Sequence, residues 1–363
     1  MIRNSLLGGL CVALLAACST APLHTSTPPA PAPKTAADAI LQEAWVSEPV
    51  PGDELDSLVA WPTEDGRVWL IATAKATHHL ALYDADTGQR LRTVGGPGTA
   101  VGQFNRPNGI AVFGDLLFVA ERDNHRVQAF RLPEFAPLGA FGADVLRSPY
   151  GLWVHEPAPG VLELFVTDSF MADFRTMTLP PMADLAGRVK RFQVRIEDGG
   201  KLETRLLGQF GDTGAAGALR MVESIAGDPA HGRLLIAEED RRVGSTLRDY
   251  TLAGHYNGRS LATFDADAEG IALWACSAEH GYWVAVDQLT PTRFRVFDRA
   301  TLAPAGVFSG KVTSNTDGET VYAMPTPRFP AGALFALHND VSLAAFDLRD
   351  IARALDLKGD CPR

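Results

Sequence analysis

Positive charge is scarce in this sequence, which has 33 Lys and Arg against 43 Asp and Glu and a formal net charge of -10. A protein that binds the phosphate backbone of a nucleic acid needs a basic face, so this balance argues against a nucleic-acid partner. An anionic small molecule would need local cations at its site, because the field of the whole chain repels it.

A hydrophobic run long enough to span a membrane is missing from the N-terminal segment. The apolar stretch SLLGGLCVALLAAC at 5–18 is too short and follows Arg3, which is the layout of a secretory signal peptide. Its end, LAAC, resembles the bacterial lipobox, in which the cysteine becomes the lipidated first residue; an ordinary signal peptide is the alternative. We predict a signal peptide over 1–17 and a lipid at Cys18 that anchors the protein to the cell envelope. Ser19 favours the outer membrane, on its periplasmic or surface side.

The next segment, residues 18–38, lacks periodicity and is rich in Pro, Ala and Thr. Such a composition predicts an extended tether, so we expect the folded domain to cover residues 39–363. Cysteine is scarce as well, with four in the chain. If Cys11 leaves with the signal peptide and Cys18 carries the lipid, only Cys276 and Cys361 remain, and an oxidising envelope would allow a disulfide between them; a buried free Cys276 is the alternative.

Sustained helical periodicity is also lacking, except in AADAILQEAW (36–45) and DIARALDL (350–357). Instead, one pattern of apolar strand, turn and strand with an aromatic end recurs at 68–84, 116–130, 162–170, 233–243, 282–298 and 333–347. Closing strands end at Gly95, Gly142, Gly211, Gly258 and Gly310, at intervals of roughly 47 to 69 residues. This period is typical of four-stranded propeller blades and predicts an all-β, six-bladed β-propeller in one domain.

The second of these copies has a recognisable opening. Residues 96–130, GPGTAVGQFNRPNGIAVFGDLLFVAERDNHRVQAF, resemble an NHL repeat, which is a propeller blade unit. The glycines Gly96, Gly98 and Gly102 could be taken for a phosphate-binding loop, but no helix and no Lys-Ser/Thr pair follow them. We therefore interpret them as turn residues.

Three carboxylates alternate in FDADAEGIALW (264–274), at Asp265, Asp267 and Glu269. Side chains two residues apart on a strand share one face at a spacing of about 7 Å. These anions would repel each other unless a cation or solvent lies among them.

Acidic residues recur at equivalent strand ends, where propeller loops can bring them together around a central channel. The candidates are Asp56, Glu223, Glu238, Glu239, Asp267, Glu269, Gln288 and Asp317. They offer only oxygen ligands, without a thiolate, and the nine His show no zinc-type spacing. Hard oxygen ligands favour calcium over a transition metal. A solvated turn carboxylate is the alternative for each residue.

Nearly the whole predicted domain resembles the β-propeller phytases, which are calcium-dependent phosphatases of inositol hexakisphosphate. The motifs that carry the resemblance, in the family's order, are IATAKATHHLALYD, VAERDNHRVQAF, SPYGLWV, IAEED, DAEGIAL, GYWVAVDQ, RFRVFD, SNTDGETV and RFPAGALFALHND. The chain departs from the family at Ser57 and Asn315, where the family has aspartates, and at Ser169, where it has a lysine. Its closing loop, HNDVSL, is also shorter.

The resemblance implies a set of roles. Calcium would be held by Asp56, Glu223, Asp267, Glu269, Gln288 and Asp317. Substrate phosphate would be met by Lys75, Arg122 and Tyr150, with Glu239 beside them. The implied activity is a phosphomonoesterase, similar to a 3-phytase, that hydrolyses inositol hexakisphosphate or another phosphorylated small molecule with metal-activated water. We expect a monomer.

Two other readings remain open. A non-catalytic propeller that binds a ligand or protein would keep the fold without turnover. A calcium-dependent hydrolase of another substrate, such as a lactone, would have no use for Lys75 and Arg122.

Overall fold

The computed structural model describes residues 37–197, 199–261, 263–358 and 361. The predicted signal peptide, the lipid at Cys18 and most of the predicted tether lie outside the described residues. Within those ranges, no helix is long and apolar enough to cross a membrane.

Six small sheets, or blades, form from strands that follow one another along the chain. Blade 1 contains β3 (Leu55–Pro62), β4 (Val68–Ala74), β5 (His79–Asp84) and β6 (Arg90–Val94). Blade 2 contains β7 (Pro107–Phe113), β8 (Leu116–Glu121), β9 (Arg126–Arg131) and β10 (Ala136–Phe141). Blade 3 contains β11 (Pro149–Ala158), β12 (Val161–Asp168), β13 (Val189–Ile196) and β14 (Leu202–Phe210).

The second half repeats this plan. Blade 4 contains β15 (Val222–Asp228), β16 (Arg233–Glu238), β17 (Thr246–Thr251) and β18 (Tyr256–Ser260). Blade 5 contains β19 (Ala268–Ala275), β20 (Gly281–Asp287), β21 (Arg293–Asp298) and β22 (Pro304–Gly310). Blade 6 contains β23 (Glu319–Tyr322), β24 (Ala333–His338) and β25 (Ser342–Asp347). The six-bladed β-propeller predicted from the repeat is therefore confirmed.

The N-terminal strands complete the last two blades. Strand β2 (Trp45–Val46) pairs antiparallel with β25 and is the fourth strand of blade 6. Strand β1 (Ala37–Leu41) pairs parallel with β22 at the outer edge of blade 5. The helical interpretation of 36–45 was therefore wrong, because the free edge of β22 offers backbone partners that an isolated short helix lacks. Strand β1 also begins within the segment that we assigned to the tether.

The C-terminal segment is held to blade 5. Helix α1 (Leu348–Ala354) overlaps the predicted helical segment and is capped by Asp347, whose carboxylate accepts a hydrogen bond from the Arg349 amide. A disulfide joins Cys276 to Cys361 across 85 residues of sequence. Two short 3-10 helices, Met182–Gly187 and Pro229–His231, lie in loops of blades 3 and 4.

Apolar layers between adjacent blades form the core. Between blades 1 and 2, for example, Ile71 and Leu82 pack with Leu117 and Val119, and all four are fully buried. Burial of this apolar area stabilises the ring by roughly 25 cal/mol per Å². Hydrogen bonds also join adjacent blades: the Thr73 hydroxyl of blade 1 donates to the Asn108 carbonyl of blade 2 at 2.7 Å.

The inner strand of each blade lines the central channel and approaches its neighbour very closely. A Cβ on Gly109 would lie 2.0 Å from the Tyr150 carbonyl oxygen, and one on Gly318 would lie 2.7 Å from that of Asp56. Only glycine permits this contact without a shift of the backbone. In blades 1 to 5 the pairing register also shifts at the start of the inner strand. Such bulges redirect side chains, and here they lie where the candidate site residues are found.

Candidate functional site at the channel mouth

Two rings of side chains surround one end of the channel, which we call the mouth. In blades 1 to 5 the inner ring holds the second residue of the inner strand, and in blade 6 it holds the residue two positions before that strand begins. These residues are Asp56, Asn108, Tyr150, Glu223, Glu269 and Asp317. The outer ring holds the residue that follows each second strand: Lys75, Arg122, Ser169, Glu239, Gln288 and Asn339. All the candidate residues except Glu238 and Asp267 belong to these rings.

Three carboxylates converge on the side of blades 4 and 5. One oxygen each from Glu223, Glu239 and Glu269 lies within 4.8 Å of the others. Burial, followed by repulsion from neighbouring carboxylates, raises the pKa of all three well above the usual range. The Glu239 and Glu269 carboxyl groups interact directly, and a hydrogen bond between them would require one of the two to carry a proton. The cluster is therefore short of positive charge, which a proton or a cation can supply.

Lys75 bridges the other acidic members of the mouth. Its ammonium lies 2.9 Å from Asp56 Oδ1 and 3.1 Å from Asp317 Oδ2. The amide of Gln288 donates to the second oxygen of Asp317, and that of Asn108 donates to Asp56 at 3.3 Å. Burial raises the pKa of Asp317 to about 7, against the opposing effect of Lys75. Asn108 was not predicted, although its place before Gly109 in the repeat marks it.

Arg122 and Tyr150 face the acidic cluster from blades 2 and 3. Negative charge on Glu223, and then burial, raises the pKa of the Tyr150 hydroxyl, so this group stays protonated at neutral pH. Arg122 is half-buried, pairs with Asp123 at 2.8 Å and interacts with the Tyr150 hydroxyl. The mouth thus carries the donors Lys75, Arg122 and Tyr150 on blades 1 to 3 and the three-carboxylate cluster on blades 4 and 5.

The three alternating carboxylates of 264–274 have different partners in the folded protein. Both oxygens of Asp267 bind the Arg241 guanidinium, at 2.5 and 2.7 Å. Asp265 pairs with Arg293 and Arg295, each at 3.0 Å. Only Glu269 enters the cluster. Arginine side chains therefore supply the positive charge that the sequence pattern required at two of the three positions.

Glu238 and Glu239 are adjacent in sequence but have different surroundings. Glu238 is fully buried and accepts hydrogen bonds from the backbone amides of Arg220, Met221 and Asp240. Because successive strand residues point to opposite sides, Glu239 turns to the channel instead. Glu238 thus supports the loop, whereas Glu239 joins the cluster.

The donor set of the mouth fits a hard cation. Glu223, Glu239 and Glu269 offer only carboxylate oxygens, and the salt bridges nearby go to other carboxylates, from Lys75 and Arg241. Several negatively charged oxygen ligands within one coordination radius are what calcium prefers. A soft or nitrogen-preferring metal has no matching ligand in this set.

Comparison with known proteins agrees with the architecture. The NHL repeat family matches residues 104–130, within blade 2. A search among curated proteins gives no match. Among solved structures, the chain is similar to one in a nidogen/laminin complex, with 15% identity, coverage of 76% of this chain and 88% of that chain, and a TM-score of 0.51.

Two further structures resemble it more loosely. BBS1N in complex with ARL6DN shares 11% identity over 85% of this chain and 97% of that chain, with a TM-score of 0.49. Hydrazine synthase of Kuenenia stuttgartiensis shares 11% identity over 89% and 84%, with a TM-score of 0.45. At these identities a likeness concerns the fold alone. The chain is a six-bladed β-propeller that carries an NHL repeat in its second blade.

Proposed function

We propose that this propeller is a calcium-dependent phosphomonoesterase that acts on inositol hexakisphosphate or a related phosphorylated small molecule at the channel mouth. The observation that carries the proposal is the convergence of a carboxylate cluster and a set of phosphate-compatible donors around one opening. Glu223, Glu239 and Glu269 lie on one side, and Lys75, Arg122 and Tyr150 lie on the other.

Each side has a distinct part in this proposal. The carboxylate cluster would hold calcium, which when bound supplies the charge that neutralises phosphate oxygens and acidifies water. Arg122 offers a planar pair of donors that matches phosphate oxygens, and Lys75 offers a point charge. The Tyr150 hydroxyl keeps its proton at neutral pH, so it would donate to a phosphate oxygen.

Substrate would have to compete for Lys75, which already binds Asp56 and Asp317. A phosphate dianion or a cation at those carboxylates would release it. This competition is also the feature that favours the second candidate, a propeller that binds a ligand without turnover, because a lysine with two carboxylate partners serves a stable scaffold equally well. The two candidates differ in turnover, which can be measured directly.

The test is phosphate release from inositol hexakisphosphate by the full chain, with calcium and then with a chelator. We expect calcium-dependent release that Glu269→Gln lowers on the order of 100-fold, the scale for loss of one electrostatic contributor. Asp265→Asn is the matched control, since Asp265 lies on the same segment, is 58% exposed at its side chain and pairs with arginines outside the rings. Release that is insensitive both to the chelator and to Glu269→Gln would exclude the proposal.

Absence of release from a folded chain that still binds calcium would favour the binding propeller. Calcium-dependent release that survives Lys75→Met and Arg122→Met would keep the proposed activity but show that these two residues do not hold the substrate phosphate.

A further inference from the structure

An arginine without an acidic partner lies beside the mouth, on the side of blade 3. Arg147 is exposed, and its guanidinium makes no hydrogen bond or ion pair within the described part of the chain. The cations Lys75 and Arg122, by contrast, are paired with carboxylates. An anion that reached Arg147 would therefore not have to displace a carboxylate from it.

The backbone of Arg147 is fixed on both sides of the residue. Its amide donates to both carboxylate oxygens of Asp168, each at 3.2 Å. Its carbonyl oxygen accepts a hydrogen bond from His125 Nδ1 at 2.6 Å, and His125 lies in the turn that follows Arg122. Tyr150 comes three residues later. The chain at Arg147 thus runs next to the turn that carries one donor of the mouth and leads directly to another.

The Arg147 side chain rests on an aromatic ring. Its guanidinium carbon lies 4.0 Å from the centroid of the Phe170 ring, and Phe170 is 4% exposed. This cation–π contact limits the positions of the guanidinium and leaves its N–H groups able to donate. Phe170 directly follows Ser169, the neutral outer-ring residue of blade 3. Arg147 therefore brings a cation to a part of the mouth where the outer ring itself has none.

Positive charge is in excess around the Phe170 ring. The Arg188 guanidinium lies 4.4 Å from its centroid and Lys190 Nζ lies 5.7 Å from it. Arg188 donates to four backbone carbonyl oxygens, and Lys190 pairs with Asp168 at 3.3 Å. Burial, with a further contribution from the charge of Arg147, lowers the pKa of Arg188 to about 10 and also lowers that of Lys190. This excess favours an anion at the exposed member of the set, Arg147.

We propose that Arg147 binds an anionic group of the substrate on the blade 3 side of the mouth. The identity of that group rests on the proposed function: it is a phosphate that does not lie at the carboxylate cluster. A guanidinium can donate two parallel hydrogen bonds to the oxygens of one phosphate, which adds geometry to charge. Because Arg147 does not touch the reacting phosphate, it sets the affinity for the substrate and leaves the rate of the chemical step unchanged.

The first test is binding of myo-inositol hexasulfate, which has no phosphate to release, to the full chain in calcium by isothermal titration calorimetry. We expect Arg147→Met to raise the dissociation constant about 10-fold, the scale for loss of one charge-assisted contact. Arg131→Met is the matched control, because it removes the same charge from an exposed arginine that pairs with Asp115 at the end of β9 away from the mouth. This control should bind the hexasulfate as the wild type does.

The second test is hydrolysis. Arg147→Met should raise KM for inositol hexakisphosphate about 10-fold and leave kcat within about twofold, whereas a damaged fold would lower kcat. With p-nitrophenyl phosphate, which carries a single phosphate, the variant and the wild type should have equal kcat/KM. Arg147→Lys keeps the charge without the planar pair of donors, so it should restore part of the affinity.

Equal affinity of the wild type and Arg147→Met for the hexasulfate would overturn the inference, as would absence of binding by the wild type. An equal loss in Arg131→Met would also overturn it, because it would reveal a general effect of net charge. Should Arg147→Met fail to fold, Arg147→Gln replaces it in both tests.

The two proposals can fail separately. A wild type that binds the hexasulfate through Arg147 but releases no phosphate would refute the proposed function and support this inference. Calcium-dependent release with the same KM in the wild type and Arg147→Met would support the proposed function and refute this inference.

Discussion

Two groups of carboxylates lie close together near the channel mouth, and their charges are compensated in different ways. Members of the loop group are the last residues of β8, β12, β16 and β20, namely Glu121, Asp168, Glu238 and Asp287. All four are fully buried and accept amide hydrogen bonds from the segment that leads into the inner strand, as Asp168 does from Ser148 at 2.6 Å. Members of the mouth group, Glu223, Glu239 and Glu269, face one another instead.

The loop group is neutralised by partners within the chain, whereas the mouth group is left able to bind a cation from outside. Asp287 accepts two amide hydrogen bonds and pairs with Arg295 at 2.8 Å, so its charge is satisfied within the chain. Among the described residues no such set of amides and arginine surrounds the mouth cluster, and burial with mutual repulsion keeps the pKa values of its three carboxyl groups well above the ordinary value. A fold tolerates such a cluster when something from outside the chain neutralises it.

The largest contrast should come from removing one charge in each group. We expect Asp287→Asn to lower the free energy of unfolding by about 3 kcal/mol, since it leaves the largely buried Arg295 with only the exposed Asp265 as an ionic partner. Glu239→Gln, one charge removed from the mouth, should not lower it when calcium is chelated. Urea denaturation of both variants measures this, and equal losses would erase the distinction between the groups.

The pH dependence of unfolding should test a second buried carboxylate that is neutralised within the chain, Asp228. Asp228 is buried; although burial alone would raise its pKa, hydrogen bonds from Arg299 and His231 hold the pKa below its ordinary value. A lowered folded-state pKa means that this stabilisation is present above the unfolded value of about 4 and is lost as the pH falls through the folded value. We expect Asp228→Asn to cost roughly 2–3 kcal/mol at pH 7 and progressively less below pH 4.

Urea midpoints of the wild type and Asp228→Asn, measured from pH 7 to pH 3, test this sign. A difference between the two proteins that grows on acidification would contradict it.

Relief of the repulsion between the mouth carboxylates by Glu239→Gln should change the free energy of unfolding by a smaller amount. Without calcium, Glu239→Gln removes one of three neighbouring carboxylates, so we expect a gain of about 1 kcal/mol in the free energy of unfolding. With calcium the order should reverse, because the wild type gains more from the ion. Thermal unfolding with chelator and with calcium gives both values, and a variant that is less stable in both would argue against a repulsive cluster.

Asp267→Asn should have the smallest effect on stability among these variants. Its pair with Arg241, whose side chain is 61% exposed, is worth about 0.2–1 kcal/mol. Because both carboxylate oxygens are engaged by Arg241, we expect Asp267→Asn to shift the calcium midpoint less than Glu269→Gln does. A larger shift would restore Asp267 to the ligand set that the sequence predicted.

Much of the fold could be predicted because strand patterns and turn glycines are local. The copies at 68–84, 116–130 and 282–298 correspond to second and third strands of blades, and the closing glycines lie in or directly after fourth strands. The pairing of β1 with β22 and of β2 with β25 was missed, because such contacts join residues about 270 to 300 positions apart and leave no local signal. The sequence named most of the residues that line the mouth, but it did not show the hydrogen-bond and ionic partners of each.

The sequence alone determined the period of the blades and which residues recur at strand ends. Tertiary structure decided which of those carboxylates meet an arginine, an amide or another carboxylate. Asp267 and Glu269 lie two residues apart with the same charge, yet one binds Arg241 and the other enters the mouth cluster. The physical reason is that charge compensation depends on distances of a few ångströms across blades, which the bulges and the close glycine contacts of the inner strands set.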